Sequence, residues 1–482
     1  MRYLRYLRWR LAARVGFGLL LLLGAWSGAL ASARDDRPNI VVIFCDDLGW
    51  ADVGCFGARG VRTPAIDRLA REGTRFTSFY VAQPVCSASR AALMTGCYPN
   101  RLGIHGALFP EAKIGLNTNE VTLARMLKSQ GYATAIYGKW HLGRPAEFLP
   151  PRHGFDDYFG LPYSNDMWPN HPSAKPDAYP PLPLIELEAV KELMPDQRFL
   201  TRRYTDRAVE FIERHRERPF FLYLAHSMPH VPLHASPAFE GRSPAGLYGD
   251  VVEEIDASVS TVLATLDRLR LTQRTWVIFT SDNGPWHSYG SHAGSAGPFR
   301  EGKGSVFEGG IRVPCVMRWP AHIAAGRTCD EPLMTIDLLP TIARRLRAPL
   351  PRAPIDGVDA WRTLAGRGDT KDSPRTYYFY YGQGELQAMR SGRWKLHFPH
   401  VAQVMLDRPG GRDGLPAPYS RLMVGLELYD LDTDPGETVD VAASHPGVIQ
   451  RLQGMAEIER DQLGDSLLKR IGKGIRPAGR AQ

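Results

Sequence analysis

The sequence predicts an α/β fold: a large, mostly parallel sheet sandwiched by helices, with a smaller C-terminal α+β domain carrying an antiparallel sheet. Three observations predict it. Two continuous apolar, β-branched runs, 39–44 and 275–279, read as strands buried on both faces. Helical patterns at 65–72, 122–130, 201–216 and 248–269 alternate with further short apolar runs at 133–137 and 220–224, as parallel-sheet chains do. From about Gly357 the texture changes. Residues 376–381, 387–390, 394–398 and 426–431 read as short strands joined by turns, and 445–463 as a closing helix.

At 482 residues the chain exceeds what one core organises, so a large domain over 36–356 and a smaller one over 357–468 are expected. Pro- and Gly-rich stretches at 169–183 and 409–418 read as surface loops, and 469–482 as a loose tail. Apolar residues at 44% and charged residues at 23% are those of a soluble globular protein. Residues 1–33 stand apart. Arg2, Arg5, Arg8, Arg10 and Arg14 precede an apolar run over 15–30 and the small-x-small Ala31-Ser32-Ala33. That is a signal-peptide pattern, and the run is short for a spanning helix of ~20 residues. A secreted or periplasmic protein with no stable membrane insertion after cleavage is expected; an uncleaved anchor is the alternative.

Five of the net +8 charges are the leader's arginines, with no leader acid, so the mature chain sits near +3. No basic run outside the leader points to nucleic acid. Six cysteines are too few for a disulfide scaffold, although Cys315 and Cys329 would close a loop of plausible length in an oxidising compartment.

Chemistry concentrates at the strand ends. Open parallel sheets bind ligands outside the carboxyl ends of their strands. The first buried run ends in Asp46-Asp47 and the second in Asp282-Asn283. Each pair alone also suits a helix cap or a turn. Together they bring three carboxylates into one crevice, which repel unless a cation sits among them, and oxygen-only donors favour Ca²⁺ or Mg²⁺, one per chain. Downstream, Cys86-Ser87-Ala88-Ser89-Arg90 puts a cation one helical turn from a sulfur. Alone, that pair describes a low-pKa thiolate or an ordinary buried cysteine beside an arginine.

These segments occur with Gly138-Lys139-Trp140-His141-Leu142-Gly143, Pro229-His230-x-Pro232, Ser281-Asp282-Asn283-Gly284-Pro285, and Gly302-Lys303-Gly304 followed by Glu308-Gly309-Gly310. In that order, over roughly residues 39–312, the chain resembles the sulfatase family, most closely the arylsulfatase A group of the alkaline phosphatase superfamily. Leu428-Tyr429-Asp430-Leu431 with Asp434-Pro435 and Glu437 resembles the family's second domain.

The resemblance implies that Cys86 is oxidised to formylglycine (3-oxoalanine) by a formylglycine-generating enzyme. The hydrated aldehyde offers two hydroxyls on one carbon. One attacks sulfur and expels the alcohol; loss of the other's proton expels sulfate, splitting one hard step into two. It further implies that Asp46, Asp47, Asp282 and Asn283, with residue 86, hold the metal, and that Arg90 orients the hydrate. Lys139 and Lys303 would hold sulfate oxygens. His141 would take the proton that drives breakdown; His230 would contact sulfate and protonate the leaving oxygen, with Asp282 assisting attack. Ser164, Asp166 and Trp168 are placed at the pocket mouth, where Trp168 would stack on a sugar or aryl ring or equally pack as a core residue at a loop base, with His105 and His287 nearby. The substrate expected is a sulfated small molecule or glycan.

Two departures stand out: Ala88 where many relatives carry proline, and Asp440 where the family often has asparagine. The rival readings are a phosphate or phosphonate ester hydrolase of the same superfamily, and a non-catalytic sulfated-glycan binding protein. A single carboxylate cluster favours sulfate over the first. Intact Cys86, Arg90 and metal ligands argue against the second.

Overall fold

The computed structural model describes residues 37–367, 375–406 and 408–481; the leader expected at 1–33 lies outside them. In chain order the elements that position the site are β1 (Asn39–Cys45), β2 (Thr74–Tyr80), α1 (Cys86–Thr95), β3 (Ala133–Gly138), α2 (Leu200–Arg214), β4 (Phe220–Ala225), α3 (Gly246–Arg268), β5 (Thr275–Ser281) and β6 (Arg312–Arg318). One sheet runs Arg327–Cys329, β2, β6, β5, β1, β4, β3, Asp157–Gly160, Pro183–Glu186, Ala189–Leu193. From β5 to Asp157–Gly160 its neighbours are parallel. β6 runs antiparallel to both β5 and β2, a pairing the apolar-run pattern did not reveal.

β1 shows why its sequence has no polar alternation. Ile40, Val42 and Phe44 enter one core cluster, and Val41, Ile43 and Cys45 the other, so helices cover both faces. α2 and α3 pack on the second face, and α1 supplies residues to the first. Register places Cys45 beside Ser281, so β1 and β5 end side by side.

The C-terminal sheet is β7 (Thr376–Tyr381), β8 (Glu385–Ser391), β9 (Trp394–His397) and β10 (Glu427–Asp430), all antiparallel, closed by α4 (Pro446–Leu463). Its apolar face, including Phe379, Ala388 and Leu396, joins the same core cluster as Ile40. The sheet therefore shares the main core.

Two expectations need correction. The segment 469–482 is not loose over its described part. Gly479–Arg480 pairs with Ile114–Gly115, and Arg476 grips Glu120 through Nε and Nη2 at 2.7 and 2.9 Å. Cys315 and Cys329 do not pair, and all six cysteines are free. Both sit opposite Phe76, on either side of β2. Two strand spacings, roughly 9–10 Å, separate them, beyond the reach of a disulfide. Among the described residues no helix is long and apolar enough to cross a membrane.

Candidate active site

The tips of β1 and β5 are knitted together. Asp282 N–H donates to the Cys45 carbonyl at 3.1 Å, and Leu48 N–H to Ser281 Oγ at 3.0 Å. Asp47 N–H donates to Asp282 Oδ1 at 3.1 Å, from a residue with φ of 65°. A non-glycine residue held in the left-handed region is uncommon and clusters at functional sites. His141, at φ 60°, is another. The two acidic pairs, more than 230 residues apart in sequence, thus share one buried crevice.

α1 brings residue 86 to them. All ten of its residues are buried; Cys86 is the first, and Gly96 ends the helix in the left-handed region with its N–H on the Ala92 carbonyl. Cys86 Sγ lies 3.6 Å from Asp46 Oδ1. Burial pushes its thiol up to about 12, so unmodified Cys86 would be a neutral thiol and a poor nucleophile at neutral pH. One turn on, Arg90 donates through Nε (3.1 Å) and Nη2 (2.8 Å) to Asp282 Oδ2, through Nη1 to the Lys139 carbonyl, and lies 3.6 Å from Asp46.

The lysines come from either side. β3 ends at Gly138, where a Cβ would lie 1.8 Å from the Ala225 carbonyl oxygen; only glycine permits that approach. Lys139 then places Nζ 2.5 Å from Asp46 Oδ2 and 2.9 Å from Ser164 Oγ. Lys303 Nζ lies 2.8 Å from Asp47 Oδ1 and 4.1 Å from the Trp286 ring centroid, a cation–π contact. Burial opposes the charge on Lys303, but Asp47, Cys86, Asp46 and Asp282 together outweigh it and hold the ammonium well above the usual lysine range. Asp46 likewise suffers burial, yet Lys139, then His230 and Arg90, hold it well below the ordinary carboxylate range.

Burial lowers both histidines from their usual range. His141 Nε2 faces the Leu108 carbonyl at 2.9 Å, which makes it the protonated nitrogen and leaves Nδ1 a bare, buried, unpartnered acceptor. Burial, then Lys139 and Arg90, keeps this ring well below its usual range. His230 Nδ1 donates to the Val231 carbonyl at 2.6 Å, so Nε2 accepts from Lys303 at 3.0 Å. Lys303 thus donates both to His230 Nε2 and to Asp47.

Ligand atoms of Asp46, Asp47, Cys86 and His230 lie within 4.8 Å of one another. Asn283 Nδ2 donates to Asp47 Oδ1 at 2.7 Å, and its Oδ1 is buried without a partner. Burial and Asp46 push the Asp282 carboxyl up to about 7, the strain expected of clustered acids. Three carboxylates and an idle amide oxygen fit a hard divalent cation. His230 Nε2, occupied by Lys303, fits one less well.

Above residue 86 opens a cavity of about 430 Å³, lined by His141, Ser164, Asp166, His230 and Lys303 among others. Ser164 lines it but is buried and spent on Lys139. Trp168 stands outside the lining, edge-on to His234 at 6.0 Å; His105 and His287 are also absent from it. Phe109, Tyr179, Trp286, Tyr381, Gln403 and Tyr419 line it and escaped the sequence reading. The last three follow β6 in the chain, from segments whose strand pattern carries no chemical signature.

Two buried lysines, one on each of Asp46 and Asp47, beside Cys86 and a group of acids that fits a cation, suit the hydrolysis of an anionic ester. Residues 38–348 match the sulfatase family model, and residues 373–478 that of the C-terminal region of aryl-sulfatase. Human arylsulfatase A is 40% identical over 461 residues, covering 90% of this chain and 89% of its own. Dog N-acetylgalactosamine-6-sulfatase is 40% identical over 410 residues, covering 80% and 76%. A crystal structure of a sulfatase from Pseudoalteromonas sp. superposes with a TM-score of 0.78 at 28% identity, covering 93% of both chains. The chain belongs to the sulfatase family and is a sulfuric ester hydrolase.

Proposed function

We propose that this enzyme cleaves sulfate monoesters of carbohydrates with residue 86 as its nucleophile; a sulfated sugar is preferred to an aryl sulfate. The carrying observation is the buried meeting of Cys86, Asp46 and Asp47 with one lysine on each carboxylate. Oxidation of Cys86 to 3-oxoalanine by a formylglycine-generating enzyme would supply a nucleophilic hydroxyl, which the buried neutral thiol does not. One Ca²⁺ or Mg²⁺, held by Asp46, Asp47, Asp282 and Asn283 with residue 86, would polarise a sulfate oxygen.

The chain's own groups do the rest. Arg90 fixes Asp282 through a forked contact and aligns it beside residue 86. Lys139 and Lys303 bind sulfate oxygens, and Ser164 holds Lys139 in place. Lys303, in contact with His230 Nε2, is the proton reservoir for the leaving oxygen, and His230 positions it. His141 Nδ1, bare and buried, accepts the proton lost as sulfate departs. The basic and apolar leader fits export to a secreted or periplasmic location.

Mass spectrometry of the Cys86 peptide tests the reading: conversion makes the peptide lighter, and an unmodified thiol in fully active protein refutes the mechanism. Nitrophenyl sulfate should be cleaved far faster than nitrophenyl phosphate, and the reverse order would favour a phosphohydrolase.

A further inference from the structure

The cavity above Cys86 is chemically lopsided. Its walls carry Phe109, Tyr179, Trp286, Tyr289, Tyr381 and Tyr419. Among the described residues lining it, Lys303 is the sole lysine or arginine, and it is committed to Asp47, His230 and the Trp286 face. Arg144 lies outside the lining, its Nη1 3.4 Å from the Pro110 carbonyl. The one acidic side chain of the lining is Asp166, whose Oδ1 is buried without any partner.

Asp166 is half-buried and lines the cavity, so its carboxylate sets terms for what enters. An apolar leaving group would strip water from the part of it that faces the cavity and leave it unsatisfied, a costly state. A second carboxylate, as on a uronic acid, would meet like charge with no cation free to offset it. A pyranose bearing hydroxyls satisfies it, since sugar O–H groups donate, Gln403 supplies an amide that both donates and accepts, and the aromatic walls take the ring's C–H faces.

We propose that the leaving group is a neutral pyranose, with Asp166 the residue that selects it and excludes uronates; this rests on the sulfatase reading above. Such selection follows the rule that sites built to hydrogen-bond a substrate hydroxyl reject partners lacking it more strongly than apolar pockets reject a misfit.

The test uses the full-length, metal-loaded enzyme with paired monosaccharides: galactose carrying sulfate at O2, O3 or O4, each against galacturonate sulfated at the same position. 4-Nitrophenyl sulfate is the common reference. At the best-cleaved position, kcat/KM for galactose should exceed that for galacturonate by about 100-fold. Asp166→Asn, isosteric and checked for an unchanged melting temperature, should shrink that ratio at least tenfold; Asp166→Ala is the second variant should the amide misfold. Equal turnover within a pair, preference for galacturonate, or a ratio unmoved by both variants overturns the inference. So does cleavage of 4-nitrophenyl sulfate with no sugar cleaved, which leaves the sulfatase reading standing. Failure to cleave any sulfate ester overturns both.

Discussion

Two of the buried ionic clusters are finished differently. Behind the loop that carries Lys303, Lys395 donates to the Val306 carbonyl, Glu308 Oε1 and Glu437 Oε1 at 2.8, 3.0 and 2.8 Å, which spends all three ammonium protons. Glu308 Oε2 accepts from Tyr80 and Arg312, and Glu437 Oε2 from the Glu308 N–H. These carboxylates and the lysine are closed on themselves and lie between the main and C-terminal sheets. In the active site the charges are as deeply buried, yet Asn283 Oδ1, His141 Nδ1 and Asp166 Oδ1 have no partner. Buried polar atoms are nearly always paired. The lysine and both glutamates of the first cluster are saturated, with Glu437 also bonded to His397, whereas in the active site the unpartnered atoms belong to residues that line the cavity or its acids.

The comparison breaks most visibly at its nucleophile. Cys86→Ala should lower kcat by about 10⁴-fold or more, as removal of a covalent nucleophile does. Thermal stability should change little, because a small buried side chain is replaced by a smaller one. Sulfate release from 4-nitrophenyl sulfate measures the first and a melting curve the second. Retained activity would remove residue 86 from the chemistry.

The saturated cluster should respond the other way. Lys395→Met keeps the volume but leaves Glu308 and Glu437 without their shared cation. Breaking a buried ion pair in this way costs about 3–5 kcal/mol. Denaturant unfolding should show that loss, while the folded fraction keeps its KM. A stability change below about 1 kcal/mol would mean that the network is not the brace it looks.

His141→Ala tests an idle atom directly. General acid–base groups contribute about 10²–10⁴-fold, so kcat should fall within that span while the protein stays folded. A fall of less than fivefold would assign the bare Nδ1 no proton.

Much of this was legible from residues alone, and the limits are physical. β1 and β5 announce themselves because strands buried on both faces carry no polar alternation, and the helices over 64–72, 200–214 and 246–268 because amphipathic period survives in sequence. Asp46, Asp47, Asp282 and Asn283 were readable because their side chains follow those strands at once. β2 and β6 were not, since Thr74–Tyr80 and Arg312–Arg318 mix polar and apolar residues whose burial depends on antiparallel partners far away in sequence. Gln403 and Tyr419 reach the cavity only because the C-terminal region folds back over it. Trp168 packs against the core and edge-on to His234, the core reading that an aromatic residue beside a motif equally allows.

A smaller effect separates charge that is paired from polarity that is merely buried. His226 is fully buried between β4 and α3, with Nε2 3.2 Å from Ser258 Oγ and no ionic partner, and burial lowers it to about 4. Its folded value lies below the ordinary histidine value of about 6.5, so between pH 6.5 and 4 the unfolded chain binds the extra proton and the native protein does not. Stability must therefore fall as pH drops through that window, by roughly 3 kcal/mol from this residue at pH 4. His226→Gln retains a hydrogen-bonding side chain and removes the titration. Its stability, measured by denaturant unfolding at pH 7 and pH 4.5, should show a shallower acid loss than the wild type. Parallel acid losses in the two proteins would show that His226 accepts its proton without unfolding the chain.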